Sequence, residues 1–297
     1  MRVLVTGSRG FAGPWLVRHL QSCGDEVLEL PGGLDVRDVD GVSSALVEAA
    51  PEAVCHLAAQ ANVANAWADP VTTFSVNALG TLNVCLAAQA LTPPPRVLLV
   101  SSAEVYGRVD AKALPVREDQ PFAPVNPYAA SKVAAEMVGL QYWLGKRLEV
   151  VRARAFNHTG PGQPEGFVVP DLARQVARAA RGEQDAVLTG DISVSRDITD
   201  VRDVVRAYRL LLVHGEPGAA YNVCRGEAFR VELVLRRLME LAGVDVPVRA
   251  DEARYRPADV PVHVGDPSRL ADLTGWRPEI PFEQTLAEVL AEAQAQG

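Results

Sequence analysis

The sequence predicts an α/β protein, a parallel sheet flanked by helices and followed by a smaller α/β unit. Three observations carry this prediction. Short β-rich apolar runs alternate with segments of helix length through the first half of the chain. A glycine-punctuated turn separates the first such run from the first helix, and after Phe156 the rhythm changes to Gly- and Pro-rich loops.

Val3 to Val5 form the first apolar run, Thr6 to Gly13 the turn, and Trp15, Leu16 and Leu20 recur at helical spacing behind it. Further strand-like runs follow at Val27–Leu30, Ala53–Leu57, Arg96–Val100 and Leu148–Arg152, with helix-length segments such as Val39–Ala49 and Thr72–Ala90 between them. Pro127 marks the start of another helix. Beyond Phe156 come loops at Gly160-Pro161-Gly162, a helix around Asp171–Arg181, a helix at Val204–Val213 and a strand at Ala220–Val223. The terminal region is punctuated by Pro257, Pro261, Pro267, Pro278 and Pro281. The expected division is a first domain of residues 1–155, to which about 197–224 return, and a smaller domain of residues 156–196 and 225–297.

At about 150 residues per domain, the 297 residues suit two modest domains or one large one. Hydrophobic residues make up 48% and charged residues 22%, which excludes a disordered or collagen-like chain. The 29 Lys+Arg against 37 Asp+Glu leave a net charge of −8, which repels a phosphate backbone, so nucleic acid is not an expected partner. A small anionic substrate would need arginines gathered in one cleft. The four cysteines, Cys23, Cys55, Cys85 and Cys224, show no CxxC pair and no His at ligand spacing, so buried free thiols and no metal are expected. No signal-peptide core and no apolar stretch long enough to span a bilayer are read from the sequence, so a cytoplasmic protein without a membrane partner is expected.

Three segments could carry chemistry. Gly7, Gly10 and Gly13, with Arg9 and Phe11 between them, lie between a strand and a helix. There glycine permits a tight turn, and the free N–H groups of the helix start can bind a pyrophosphate. Tyr128 and Lys132 stand four apart and share one helix face, so the ammonium is expected to depress a phenol pKa that is ordinarily about 10. Taken alone, that spacing is more often a solvated helix face. Ser102 and Glu104 directly follow a strand, at the carboxyl edge where parallel sheets place ligands. Ser102 could hydrogen-bond a substrate carbonyl, and Glu104 could accept a proton or anchor a hydroxyl. A turn serine and a loop charge are the plainer readings.

With these motifs the chain resembles the extended short-chain dehydrogenase/reductase family, the NAD-dependent epimerase/dehydratase group acting on nucleotide sugars. The matches are the glycine turn, His56-Leu57-Ala58-Ala59, Asn77-Ala78-Leu79-Gly80-Thr81, Ser101 to Gly107 and the Tyr128/Lys132 pair, in family order across nearly the whole chain. The resemblance implies a Rossmann-type first domain and a smaller substrate-binding domain. It also implies that Tyr128 is the acid–base residue, that Lys132 holds the nicotinamide ribose and lowers the Tyr128 pKa, and that Ser102 polarises the substrate carbonyl. Leu57, Ala58 and Ala59 would line the cofactor, Asn77 would support the site, and Asp35-Val36 resembles the adenine-contacting pair. The expected second strand, Glu26–Leu30, runs into Pro31-Gly32-Gly33 rather than an acidic ribose clamp. Arg9 stands where NADP-preferring relatives hold the 2′-phosphate, so the expected cofactor is NADP, with NAD as the alternative.

The later motifs resemble the GDP-4-keto-6-deoxy-D-mannose reductase branch. They are Arg154 to Gln163, Arg196 to Asp203, and Arg256-Pro257-Ala258-Asp259-Val260-Pro261. Asn157, Arg196 and Arg256 would then be diphosphate ligands. Family dehydratases usually place Asp or Ser where this chain has Ala103, so the resemblance leans to ketone reduction, giving GDP-D-rhamnose. A GDP-mannose 4,6-dehydratase, a nucleotide-sugar epimerase and a non-catalytic dinucleotide-binding protein are the alternatives. Relatives imply a homodimer through Thr72–Ala90 and Tyr128–Leu144. Trp276 is expected to be a core residue.

Overall fold

The computed structural model describes residues 1–255 and 260–296. Its first half alternates β1 (Arg2–Thr6), α1 (Ala12–Ser22), β2 (Glu26–Glu29), α2 (Val39–Ala49), β3 (Ala53–His56), α3 (Val63–Ala68), α4 (Pro70–Phe74), α5 (Gly80–Ala90), β4 (Arg96–Ser102), α6 (Pro127–Lys146) and β5 (Val150–Ala155). After it come β6 (Asn157–Thr159), α7 (Val168–Ala180), β7 (Val187–Thr189), β8 (Ser195–Asp200), α8 (Val201–His214), β9 (Ala220–Val223), β10 (Ala228–Arg230) and α9 (Val231–Ala242). The chain closes with β11 (Val248–Ala250), β12 (Val262–His263), α10 (Ser268–Thr274) and α11 (Phe282–Ala295).

The main sheet runs β2-β1-β3-β4-β5-β9, every neighbour parallel, with Val5 opposite Cys55 and Ser102 opposite Ala155. Its strands apart from the edge strand β2 are buried on both faces, as a parallel sheet covered by helices requires. One face packs on α1, α8 and α10 through Leu16, Leu20, Val204, Tyr208, Leu211 and Leu270. The other packs on α2, α5 and α6 through Val42, Leu46, Val84, Cys85 and Tyr142. Strand order reverses between β1 and β3, the switch point at which such sheets open a crevice for ligands. Both the glycine turn and Leu57–Ala59 emerge there.

A second layer joins β6, β8, β10 and β12 and packs α7, α9 and α11 together. Val169, Leu172, Ala173, Val176 and Ala177 recur along one face of α7, and Val231, Val234, Leu235 and Leu238 do so along α9. The chain returns to the first sheet through α8 and β9, whereas β8 itself belongs to the second. Asp197 on β8 clamps this junction, its carboxylate accepting from the N–H groups of Arg225, Gly226 and Gly265. Trp276 is buried, and its indole donates to the Asp203 carbonyl at 3.1 Å.

Two expectations are corrected. Cys23 is exposed at the end of α1, while Cys55, Cys85 and Cys224 are buried free thiols. The helical run Pro70–Ala90, 21 residues long, is long and apolar enough to cross a membrane, contrary to the sequence reading. In this fold it carries a π-helical turn at Ser75–Leu79, packs against α2 and α6, and has 44% of its most apolar window buried.

Candidate active site

The glycine turn has no room for side chains at two of its positions. Gly7 has φ +71°, and a Cβ there would stand 2.6 Å from the Ala58 nitrogen; one on Gly13 would stand 2.2 Å from the Ser8 carbonyl oxygen. The backbone of β1 is thus held against the segment after β3, leaving the start of α1 open toward a cleft of about 400 Å³. Gly7, Gly10, Phe11 and Gly13 line that cleft on one side, and Leu57 and Ala59 adjoin them. Ser102, Glu104, Tyr128 and Lys132 form its floor, and Asn157 and His158 complete the lining.

Asn126 starts α6 by accepting from the Ala129 N–H at 2.8 Å, and Pro127 follows at the first helical position. One turn on, Tyr128 and Lys132 face β4 and are both buried. Burial pushes the Tyr128 phenol up to about 12; the neighbouring Ser102 hydroxyl pulls the other way, and the Glu104 charge adds to the rise. Burial lowers Lys132 to about 8, opposed by the charge of Glu136, and its Nζ donates to the Val100 carbonyl at 2.9 Å. The expectation that Lys132 depresses the Tyr128 pKa is therefore corrected for this structure. The ammonium is held on the strand carbonyl, and desolvation dominates the phenol.

Asn77 supports the site from behind and does not reach the cleft. Its Oδ1 accepts from the Gln60 N–H, while its Nδ2 donates to the Gln60 carbonyl and to Ser131 Oγ. It is buried, fully engaged and braces the segment after β3 against α6 without lining the cleft. Ala58 likewise spends its N–H on Thr6 Oγ1. The Thr6 hydroxyl then donates to His56 Nδ1 at 2.7 Å, and His56 Nε2 to Thr81 Oγ1 at 3.0 Å, whose hydroxyl donates to the Asn77 carbonyl. This one-way chain assigns the Nε2–H tautomer, and burial lowers the His56 pKa to about 3, which keeps the ring neutral.

Outside the cleft, Arg9 lies against the segment after β2: a Cβ on Gly32 would stand 2.8 Å from its Nη2. β2 closes at Glu29, one residue early, so an acidic residue does stand at the strand end. The Asp35 carboxylate is gripped by the Arg37 guanidinium and N–H, which hold its pKa below the usual value, and Val36 is buried with its carbonyl bound by Asn83. Arg196 is not brought into the cleft. It is buried, and its guanidinium donates to the Ser195 and Val260 carbonyls at 2.9 and 2.7 Å. Arg256 lies outside the described residues.

Several residues of the site escaped sequence reasoning. His158 stacks on Phe11, ring centroids 5.9 Å apart, and Trp15 donates to the Pro161 carbonyl, so the glycine turn is tied directly to the β6 loop that carries Asn157. Gln60, Asn62, Phe167 and His263 also line the cleft. Asn126, which sequence reasoning also missed, had a local signal, an Asn-Pro helix start. Behind the floor, the fully buried Glu136 accepts from Ser101 at 2.6 Å, Arg154 at 2.9 Å and Arg152 at 3.1 Å. No group of three or more metal-ligating side chains occurs among the described residues.

A family model described as GDP-mannose 4,6 dehydratase matches residues 33–289. A GDP-6-deoxy-D-mannose reductase of Pseudomonas aeruginosa is 42% identical over 98% of this chain and 96% of its own. The structure of RMD from Pseudomonas aeruginosa complexed with NADPH superposes with a TM-score of 0.93 at 40% identity, covering 100% of this chain and 99% of that one. A UDP-glucose 4-epimerase of Thermus thermophilus in complex with NAD superposes with a TM-score of 0.87 at 33% identity, covering 99% of each chain.

Proposed function

Because the chain belongs to the GDP-mannose 4,6-dehydratase family, within the extended short-chain dehydrogenases/reductases, we propose that it is an NAD(P)H-dependent reductase converting GDP-4-keto-6-deoxy-D-mannose to GDP-D-rhamnose. The observation that carries this reading is that Ser102, Tyr128 and Lys132 are brought together on the floor of one cleft with the glycine turn.

The residues present fit a dinucleotide. Gly7 and Gly13 let the turn close on the backbone of Ala58 and Ser8, which leaves the N–H groups at the start of α1 open to a pyrophosphate, and Arg9 beside Gly32 offers a guanidinium to a 2′-phosphate, which favours NADPH. When bound, the cofactor supplies a hydride to C4 of the sugar. Ser102 polarises the C4 carbonyl, and Tyr128 gives its phenolic proton to the C4 oxygen. Lys132, held by Val100, places its ammonium beside that exchange and holds the ribose. Glu104 accepts from a sugar hydroxyl, and Asn157 meets the diphosphate. Ketone reduction needs no elimination acid, in keeping with Ala103. Glu104 is nonetheless the feature that favours the second reading, a GDP-mannose 4,6-dehydratase.

The reading extends to a cytoplasmic homodimer. Buried free thiols suit a reducing compartment. Leu79, Leu82 and Leu86 on or next to α5, with Met137 and Leu144 on α6, leave an exposed apolar face that a second copy would cover. The test is incubation of the keto sugar with NADPH, followed by loss of NADPH absorbance and by proton NMR of the product. Formation of GDP-D-rhamnose is expected. Conversion of GDP-mannose with NADP+ alone would instead establish the dehydratase.

A further inference from the structure

Asn126 uses both ends of its amide. The Oδ1 caps α6 at the Ala129 N–H, 2.8 Å away, and the Nδ2 donates to Glu104 Oε2 at 3.0 Å. The side chain is buried at the rim of the site. Glu104 in turn is placed on its own side by Ser102, whose Oγ accepts the Glu104 N–H at 3.2 Å. One amide therefore joins the two separately folded parts of the floor, the end of β4 and the start of α6, across 22 residues of chain.

We infer that Asn126 is a positioning residue that aims the Glu104 carboxylate at the sugar, and that sugar recognition depends on this amide. The inference rests on the nucleotide-sugar reading above. The physical ground is that a carboxylate on a short turn after a strand has several rotamers, and a single buried N–H donor selects one of them. With Oε2 occupied by Asn126, Oε1 is left as the acceptor for a sugar hydroxyl. The cap alone does not require asparagine, because Ser and Asp cap helices equally well. The donor toward Glu104 is what asparagine adds.

This separation of roles makes the test clean. Asn126→Ser and Asn126→Thr both keep a capping oxygen and both remove the amide N–H donor. Each is expected to keep the thermal midpoint within about 2 °C of wild type. Each is expected to weaken GDP-mannose binding about tenfold by calorimetric titration, while leaving GDP and NADPH affinities unchanged. In the reductase assay KM for the keto sugar rises by a similar factor with kcat little changed. In a Glu104→Gln background the further loss from Asn126→Ser should shrink to less than about twofold. Wild-type affinity for GDP-mannose in both variants, or equal losses for GDP-mannose and GDP, would overturn the inference and leave the reductase reading standing. A wild-type protein that binds neither GDP nor GDP-mannose and does not reduce the keto sugar with NADPH would overturn that reading and the inference with it.

Discussion

The Nζ of Lys132 donates to the carbonyl oxygen of Val100 at 2.9 Å, two residues before Ser102 on the same strand. The helix that carries Tyr128 is thereby bonded to the strand that carries Ser102, beneath the floor of the cleft. The ammonium is buried there, and desolvation lowers its pKa to about 8.

A pH dependence follows. Below pH of about 8 Lys132 is charged, and above it the folded protein loses this proton, so kcat/KM should fall along an alkaline limb centred near 8. Lys132→Arg keeps the charge at every accessible pH and should remove the limb while lowering the maximal rate. For stability the sign is opposite. The folded-state pKa lies below the ordinary lysine value, so between the two the unfolded chain holds the extra proton and this group's contribution rises with pH. A pH–rate profile paired with denaturant unfolding at each pH would check both.

Tyr128→Phe should lower kcat by about 10²–10⁴-fold, because the group removed is the proposed proton donor to the C4 oxygen. NADPH affinity, read by fluorescence titration, should stay within about threefold of wild type, since a phenyl ring fills the same buried volume. Wild-type turnover would remove Tyr128 from the mechanism.

The parts of this site legible in the sequence were those whose geometry is set locally. Gly7 and Gly13 are demanded by a turn within eight residues, and Tyr128 and Lys132 by helical spacing. Arg196 was misplaced because an arginine motif does not say where its guanidinium goes, and here it goes to the Val260 carbonyl. The short strands β6, β7, β10, β11 and β12 are two or three residues each, too short for periodicity to register. Glu136 escaped because its partners Ser101, Arg152 and Arg154 come from two other strands. His263 reaches the cleft only because β12 pairs with β8.

His56 gives a second pH signature, in stability alone. Its folded pKa is lowered to about 3 by burial, reinforced by the Lys132 charge, so between there and the ordinary histidine value the unfolded chain binds a proton that the folded one excludes. Its contribution to stability is therefore present above the ordinary value and lost as pH falls below it. His56→Gln should flatten the decline of the thermal midpoint between about pH 6.5 and 4, at the expense of a lower midpoint at neutral pH. An unchanged slope would mean that other groups govern acid unfolding.

Arg9→Ala should raise KM for NADPH by about tenfold or more and leave KM for NADH nearly unchanged, because only NADPH carries the 2′-phosphate proposed to meet the guanidinium beside Gly32. Side-by-side kinetics with the two cofactors decide this. Equal effects on both would reduce Arg9 to a loop cation.

The last prediction separates structure from function at Glu136. This carboxylate is fully buried and is the counter-ion of two buried guanidinium groups, so Glu136→Gln should destabilise the protein by about 3–5 kcal/mol in denaturant unfolding. It is also the charge that raises the Lys132 pKa against the desolvation that lowers it. Removing it should let Lys132 drop further, moving the alkaline limb of kcat/KM to a pH lower than about 8, whereas loss of packing alone would reduce the amount of active protein at every pH without moving the limb. The pH–rate profile of Glu136→Gln, taken where the variant is still folded, distinguishes the two. An unmoved limb would confine Glu136 to holding β4, β5 and α6 together.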